Sequence, residues 1–381
     1  MLFVVCPLPF PRGGGGPGDT AAKEPRTTSD SPESGEPTVR KAFAEGNLRY
    51  GCIGAGIQGE KHAEIIALLP NTELVAVCDI NEESARQAGL KLGAKHALTD
   101  YQDLLALEEI DAVSIALPDH LHREVATLAF EAGKHVLLEK PMATTVEDAE
   151  AIIAAQKESG KRLMINWSNR WMSGFAKTKA ALDAGELGDP LYAYARLSNT
   201  LHVPTQMLSW SANTQLPFWL ICHRYDIARW FFGSEAKKVT AVSRSVVLKG
   251  MGIDTPDFYQ ATVEFENGCV GNFESCWVMP DTLPYIVDSK FSLVCTKGYV
   301  NVDPLLPVHM MASDEKCARE GFLFGDVLGE PRGFVRDAIT HFVNCCLRDE
   351  EPMITGEDGL QITKALCAMV EAAETGEAVY L

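Results

Sequence analysis

Three glycines at a fixed spacing, Gly54, Gly56 and Gly59, are followed about 20 positions later by an acid, Asp79. This is the arrangement needed to hold a dinucleotide. Gly54 permits a tight turn out of a strand, Gly56 admits a pyrophosphate with no Cβ in the way, and Gly59 lets a helix pack closely. A helix opening near Ile57 and Gln58 would turn its unpaired N–H groups and positive end toward the phosphates. Asp79 can accept from both hydroxyls of an adenosine ribose, and it repels a 2′-phosphate. Two unit charges about 4 Å apart at an effective dielectric near 20 interact by roughly 4 kcal/mol. Ile80 and Asn81 supply no cation to reverse that repulsion, so NAD is favoured over NADP.

Lys140 offers a second chemistry. It follows an apolar run and Glu139, and it precedes Pro141. Burial disfavours a lysine's charged form, so the amine can take or return a hydroxyl proton while hydride moves to or from a nicotinamide. A charged amine would instead polarise a carbonyl in the reverse reaction. A plainer role, pairing with Glu139 or with the cofactor's ribose, stays open.

These residues require strands that end side by side. Apolar runs ending at Ile53, Cys78, Leu117, Leu138 and Trp167 alternate with helical patterns over 57–69, 82–92, 101–107, 123–131 and 145–160. Such alternation means a doubly wound parallel sheet, whose ligands collect at the carboxyl ends of its strands. By that rule Gly54 to Gly59, Asp79, Pro118, His120, His122, Glu139, Lys140 and Arg170 share one edge. After a helix over 175–184 the pattern changes to longer strands, with Glu266-Asn267-Gly268 as a hairpin turn and a helix over 217–232 among them. The fold expected is α/β: a Rossmann domain over 47–168, then an α+β domain over 169–381 with a large, mostly antiparallel open sheet. Residues 1–46, with four consecutive glycines at 13–16 and many Pro, Ser and Thr, read as a disordered tail.

Composition excludes several partners. With 34 basic and 52 acidic residues and a net charge of −18, the chain repels nucleic acid and anionic membrane. No apolar run reaches the roughly 20 residues of a membrane helix. Eleven cysteines without CxxC spacing read as reduced residues of a cytoplasmic protein. His120 and His122 lack carboxylates or thiolates at ligand spacing, so no metal is expected.

The glycine turn with Asp79, the segment Pro118 to His122, Gly133-Lys134-His135-Val136 leading into Glu139-Lys140-Pro141, Asn169-Arg170, and His223 to Trp230 together resemble the Gfo/Idh/MocA oxidoreductases. That family is named for glucose-fructose oxidoreductase, inositol dehydrogenase and a rhizopine-catabolism protein, and the likeness runs from about Leu48 to the end. It implies NAD(P)-dependent oxidation of sugars, polyols or their relatives, and a homodimer or homotetramer formed through the open face of the second sheet. It also implies Lys140 and His223 as the catalytic pair, with a Lys-Pro peptide that tends to be cis. One departure stands out. Where members with a full catalytic set carry an aspartate one turn before the histidine, this chain has Trp219, and Leu216-Pro217-Phe218 replaces the usual glycine pair.

Read by its own chemistry, His223 has a pKa suited to a base near neutrality, or it is a core histidine. Asp226, three residues on, can orient it or anchor the helix. Trp219 can stack on the apolar face of a sugar or simply pack in the core, Trp210 can line the substrate cleft, and Arg170 serves cofactor, substrate or an inter-domain ion pair. The leading expectation is an NAD-dependent dehydrogenase of a sugar, cyclitol or related polyol. Two others stay open: a glycoside hydrolase using tightly held NAD transiently, and a catalytically inactive NAD-binding regulator.

Overall fold

Short Val-, Ile- and Leu-rich runs buried on both faces become parallel strands, because only helices on either side can cover them. The computed structural model of the chain describes residues 43–303 and 330–381, together with the backbone of 309–312, 317–320 and 324–327. Most of the expected tail, residues 1–42, lies outside these. Its last few residues are tied down: Ala44 is buried, and its N–H donates to Asn344 Oδ1 at 2.7 Å.

The first half runs β1 (Leu48–Ile53), α1 (Ile57–Leu68), β2 (Thr72–Cys78), α2 (Glu82–Leu92), β3 (His96–Leu98), α3 (Tyr101–Leu105), β4 (Ala112–Ile115), α4 (His122–Glu131), β5 (His135–Leu138), α5 (Val146–Ser159) and β6 (Leu163–Ile165). The strands form one parallel sheet in the order β3-β2-β1-β4-β5-β6. The order reverses between β1 and β4, which opens a crevice there for a ligand. Strand β3 has no counterpart in the sequence reading, because three half-exposed residues at a sheet edge are too few to carry a period.

The second half continues with α6 (Ser173–Asp183), β7 (Pro190–Asn199), α7 (Cys222–Phe232), β8 (Ala236–Arg244), α8 (Val247–Gly250), β9 (Phe258–Phe265), β10 (Val270–Cys276), β11 (Val287–Cys295) and β12 (Tyr299–Val302). Two small hairpins follow, β13 (His309–Ala312) with β14 (Cys317–Glu320) and β15 (Phe324–Val327) with β16 (Glu330–Gly333). The chain closes with α9 (Phe334–Arg348), α10 (Gly356–Thr375) and β17 (Val379–Tyr380). The large sheet has the order β12-β11-β7-β10-β9-β8-β17, antiparallel except where β10 meets β7. The expected hairpin joins β9 to β10, with Gly268 at φ 87°.

The expected single helix over 217–232 is two pieces. A π-type turn covers Pro217–Ile221, and regular α7 follows. On the inner sheet face Tyr225 of α7 stacks on Phe265, ring centroids 5.9 Å apart, and Phe231 meets Phe291 edge-on at 5.7 Å. The outer face keeps Tyr192, Tyr194 and Val242 uncovered. Helix α10, capped by reciprocal bonds between Thr355 and Asp358, crosses so close to the first domain that a Cβ at Gly359 would lie 2.2 Å from Met142 Sδ.

At the start of β5, His135 Nδ1 accepts the Arg162 N–H at 3.0 Å, so that nitrogen carries no proton. Burial, with the Lys161 and Arg162 charges, pushes His135 down to about 4. The folded value lies below the unfolded one near 6.5, so the stability this group contributes is present above that pH and lost as pH falls toward 4. The thermal midpoint is therefore expected to drop between pH 6.5 and 4, and to drop less in His135→Gln; equal acid sensitivity in the two proteins would exclude this source.

Candidate active site

The three glycines of the turn differ in the space around them. Gly54 adopts φ 97°, and a Cβ there would fall 2.3 Å from the Ala116 carbonyl oxygen; at Gly59 it would fall 1.8 Å from that of Gly54. Both are demanded by the fold itself, which needs β1, β4 and α1 this close. Gly56 differs, because a Cβ there would meet nothing within 4 Å. The space beside it is open, as a diphosphate requires. No side chain caps the first turn of α1, so the N–H groups of Ile57 and Gln58 face the same opening.

Asp79 stands at the mouth. Its Oδ2 accepts the Ala55 N–H at 2.7 Å and its Oδ1 the Asn81 N–H at 2.9 Å, which fixes the carboxylate beside the turn. Ile57 and Ile80 are 66% and 94% exposed, an apolar surface beside the acid that a base could cover. These residues fit NAD. Gly54, Gly56, Ile57, Gln58, Gly59 and Asp79 would hold its adenosine and diphosphate.

From β5 the chain enters Glu139-Lys140-Pro141 through a cis Lys140–Pro141 peptide. The Lys140 ammonium donates to the Trp219 carbonyl at 3.1 Å and lies 4.0 Å from the centroid of the Trp219 ring. That places the amine of the first domain against the π-type turn of the second. The Trp219 indole N–H in turn donates to Asn199 Oδ1 at 3.1 Å, and Trp210 packs edge-on against the ring at 5.7 Å. Two indoles thus wall the space beside Lys140.

His223 follows on α7. Its Nδ1 is buried and finds no hydrogen-bond partner among the described residues. Burial, with the Lys140 and Arg224 charges, holds its imidazole well below the usual histidine range against a weaker pull from Glu139. The near-neutral value expected from sequence is therefore corrected: His223 is neutral at physiological pH.

Other expected site residues are spent on positioning. Arg170, read as a cofactor and substrate ligand, is buried and forks onto Asp226 (Nη2 to Oδ1 2.5 Å, Nε to both oxygens at 3.1 Å) and donates to the Met353 carbonyl. Asp226 is therefore an anchor and not the partner of His223, although burial pushes its carboxyl up while Arg170 pulls it back. The Arg170 guanidinium also lies over the Trp230 ring, 5.3 Å from its centroid. His122 is fully buried, with Nδ1 2.7 Å from the Pro141 carbonyl oxygen and Nε2 3.0 Å from that of Leu117, so it joins the ends of β4 and β5 and presents nothing to a ligand. Glu139 is buried as well: burial opposes its charge, but His62, Lys140 and Asn166 together hold it down at about 2. Of the remaining residues, Pro118 borders the crevice and the His120 side chain is 44% exposed, 3.8 Å from Asp119 Oδ1.

Sequence reasoning missed four contributors. Asn199 ends β7, Asn166 directly follows β6, and Thr214 donates to Asp119 Oδ2 at 2.6 Å across the domains. His62 lies on α1, where its spacing of three from Gly59 places it on the helix face against the sheet. Among the described residues no group of His, Cys, Asp and Glu can hold a metal, and no helix is long and apolar enough to cross a membrane.

A parallel Rossmann sheet with a lysine at its ligand edge, closed by an open antiparallel sheet, defines a nicotinamide-dependent oxidoreductase. Residues 48–167 match the family described as "Oxidoreductase family, NAD-binding Rossmann fold", and residues 175–301 match the GFO/IDH/MocA C-terminal domain. The chain belongs to the Gfo/Idh/MocA family and is an NAD-binding oxidoreductase. Among characterised relatives, a scyllo-inositol 2-dehydrogenase (NAD(+)) of Bacillus subtilis is 27% identical over 322 residues, covering 82% of this chain and 90% of that protein. A myo-inositol 2-dehydrogenase of Thermotoga maritima is 25% identical over 313 residues, covering 82% and 92%. The crystal structure of scyllo-inositol dehydrogenase from Lactobacillus casei with NAD(H) and scyllo-inositol shares the fold, at a TM-score of 0.75 and 23% identity over 88% of this chain and 99% of that one.

Two outcomes follow from this geometry. Asp79→Ala is expected to weaken NAD and narrow its preference over NADP by roughly tenfold or more, measured as the two dissociation constants. Arg170→Met strands a buried carboxylate and is expected to cost about 3 kcal/mol or more in unfolding free energy. The NAD dissociation constant should stay within a few-fold; a selective loss of NAD binding would return Arg170 to the cofactor site.

Proposed function

We propose that the chain oxidises a secondary alcohol of a sugar, cyclitol or related polyol, and that Lys140 carries the proton. The observation that supports this most is the Lys140 ammonium at the ligand edge, held by the Trp219 carbonyl and ring and bonded to no carboxylate among the described residues. Bound NAD supplies the hydride acceptor. Lys140 meets the substrate hydroxyl, accepts its proton when neutral, and in the reverse direction donates a hydrogen bond to the carbonyl oxygen. His223, neutral and with no partner for its Nδ1 among the described residues, takes the proton onward or orients the hydroxyl. With Trp219 where relatives with a full set carry an acid, no carboxylate at that position shares this work.

Trp210 and Trp219 support a ring substrate, because the C–H face of a sugar or cyclitol stacks on an indole while its hydroxyls turn to polar groups. The names of the inositol dehydrogenase relatives point the same way. Partner copies would form a homodimer or homotetramer on the uncovered sheet face around Tyr192, Tyr194 and Val242.

The test is purified protein with NAD and a panel of cyclitols, aldoses and aldonic relatives, followed by NADH absorbance. Turnover of at least one is expected, and Lys140→Ala should reduce it by about a hundredfold or more while the NAD dissociation constant stays within a few-fold. Undiminished turnover in that variant would remove Lys140 from the mechanism, and product released without net NADH would overturn the dehydrogenase reading.

A further inference from the structure

Beneath the Glu139-Lys140-Pro141 turn runs a chain of buried polar side chains that the chemistry above does not use. His62 on α1 is fully buried. Its Nε2 lies 3.1 Å from Glu139 Oε1, and its Nδ1 lies 3.2 Å from Ser114 Oγ, which is 3.2 Å from the Tyr50 hydroxyl. Asn166 Nδ2 donates to the same Glu139 oxygen at 2.7 Å, and the second oxygen accepts the Lys140 backbone N–H at 3.2 Å. Both oxygens are thus engaged from below and by the backbone. The acid adjacent to the amine in sequence is turned away from it.

We infer that His62 is a positioning residue for the hydride-transfer site: it holds the Glu139 carboxylate under the sheet edge, so that the Lys140 ammonium stays free to meet a substrate hydroxyl. The inference rests on the role of Lys140 proposed above. An ammonium paired with a carboxylate gives up a donor to it and loses its freedom to swing toward a ligand. Without His62, Glu139 would be a buried charge short of a partner, and Lys140 is the cation beside it. Among the described residues the titratable groups facing the amine are Glu139 on its own strand end and Cys222 and His223 on α7, and Glu139 is the one carboxylate of these that could compete for it.

The experiment compares His62→Gln, and the double variant with Glu139→Gln, by two readouts. The first needs neither substrate nor cofactor: the rate at which an amine-acylating reagent labels Lys140, followed by peptide mass spectrometry. In His62→Gln labelling is expected to slow by roughly tenfold or more, because the amine is captured. In the double variant it should recover, since no carboxylate remains to capture it. The second readout is kinetic. His62→Gln should lower kcat about tenfold or more, leave KM and the NAD dissociation constant within a few-fold and move the acidic limb of the rate profile to higher pH, while the double variant reverses all of this. Should His62→Gln not fold, Ser114→Ala removes only the Nδ1 partner and is expected to slow labelling in the same direction. Unchanged labelling in whichever variant folds, or a double variant no better than the single, would leave His62 a packing residue and overturn the inference. If the wild-type protein oxidises no polyol while the labelling pattern holds, the substrate reading fails and the positioning of the amine stands.

Discussion

The Arg170 guanidinium and the Asp226 carboxylate meet where almost no solvent reaches, and the rest of the site depends on that pairing. Arg170 leaves the end of the parallel sheet, and Asp226 is on α7, the helix that carries His223 and continues from the turn bearing Trp219. A fork-to-fork pair accepts little misalignment, so it sets where α7 lies against the first domain. Asp358 at the start of α10 lies 3.7 Å from Arg170 and 2.5 Å from Arg229, so two arginines and two acids tie three elements together. Removing water makes each partner indispensable to the other. The distance from Lys140 to Trp219 is therefore a property of the whole interface.

Within that frame the two buried histidines at the sheet edge have separate tasks. His122 joins the carbonyls of Leu117 and Pro141, which brings the ends of β4 and β5 into one rim. His62 approaches from below and engages Glu139. Neither points to the crevice, yet both bear on where the Lys140 side chain emerges. Catalytic precision of this kind comes from the groups behind the reacting one, because a lysine has four rotatable bonds and selects no position unaided.

Trp219 changes the character of the pocket. An acid at that position would add a second charge near Lys140, whereas the indole gives the ammonium an aromatic face and a backbone carbonyl. The π-type turn over Pro217–Ile221 is what turns that carbonyl toward the amine, since the wider turn displaces the residues before α7 from regular helical register. With Trp210 beside it, the wall is apolar where a substrate ring would lie.

Much of this was legible in the residues themselves. The glycine turn, Asp79, the alternation of strands and helices and the Asn267-Gly268 hairpin are local signals, because backbone conformation and side-chain period depend on near neighbours. Lys140 and His223 could be singled out, but not their surroundings. That Arg170 and His122 are consumed internally, that Glu139 faces His62 and that His223 is held neutral are consequences of burial and of contacts between residues far apart in the chain, among them His122 with Pro141, His62 with Glu139 and Arg170 with Met353. The sequence by itself determined which residues could bind a dinucleotide and move a proton. The tertiary structure decided which of them are free to do so, because charge and hydrogen-bonding capacity already used inside the protein are no longer available to a ligand.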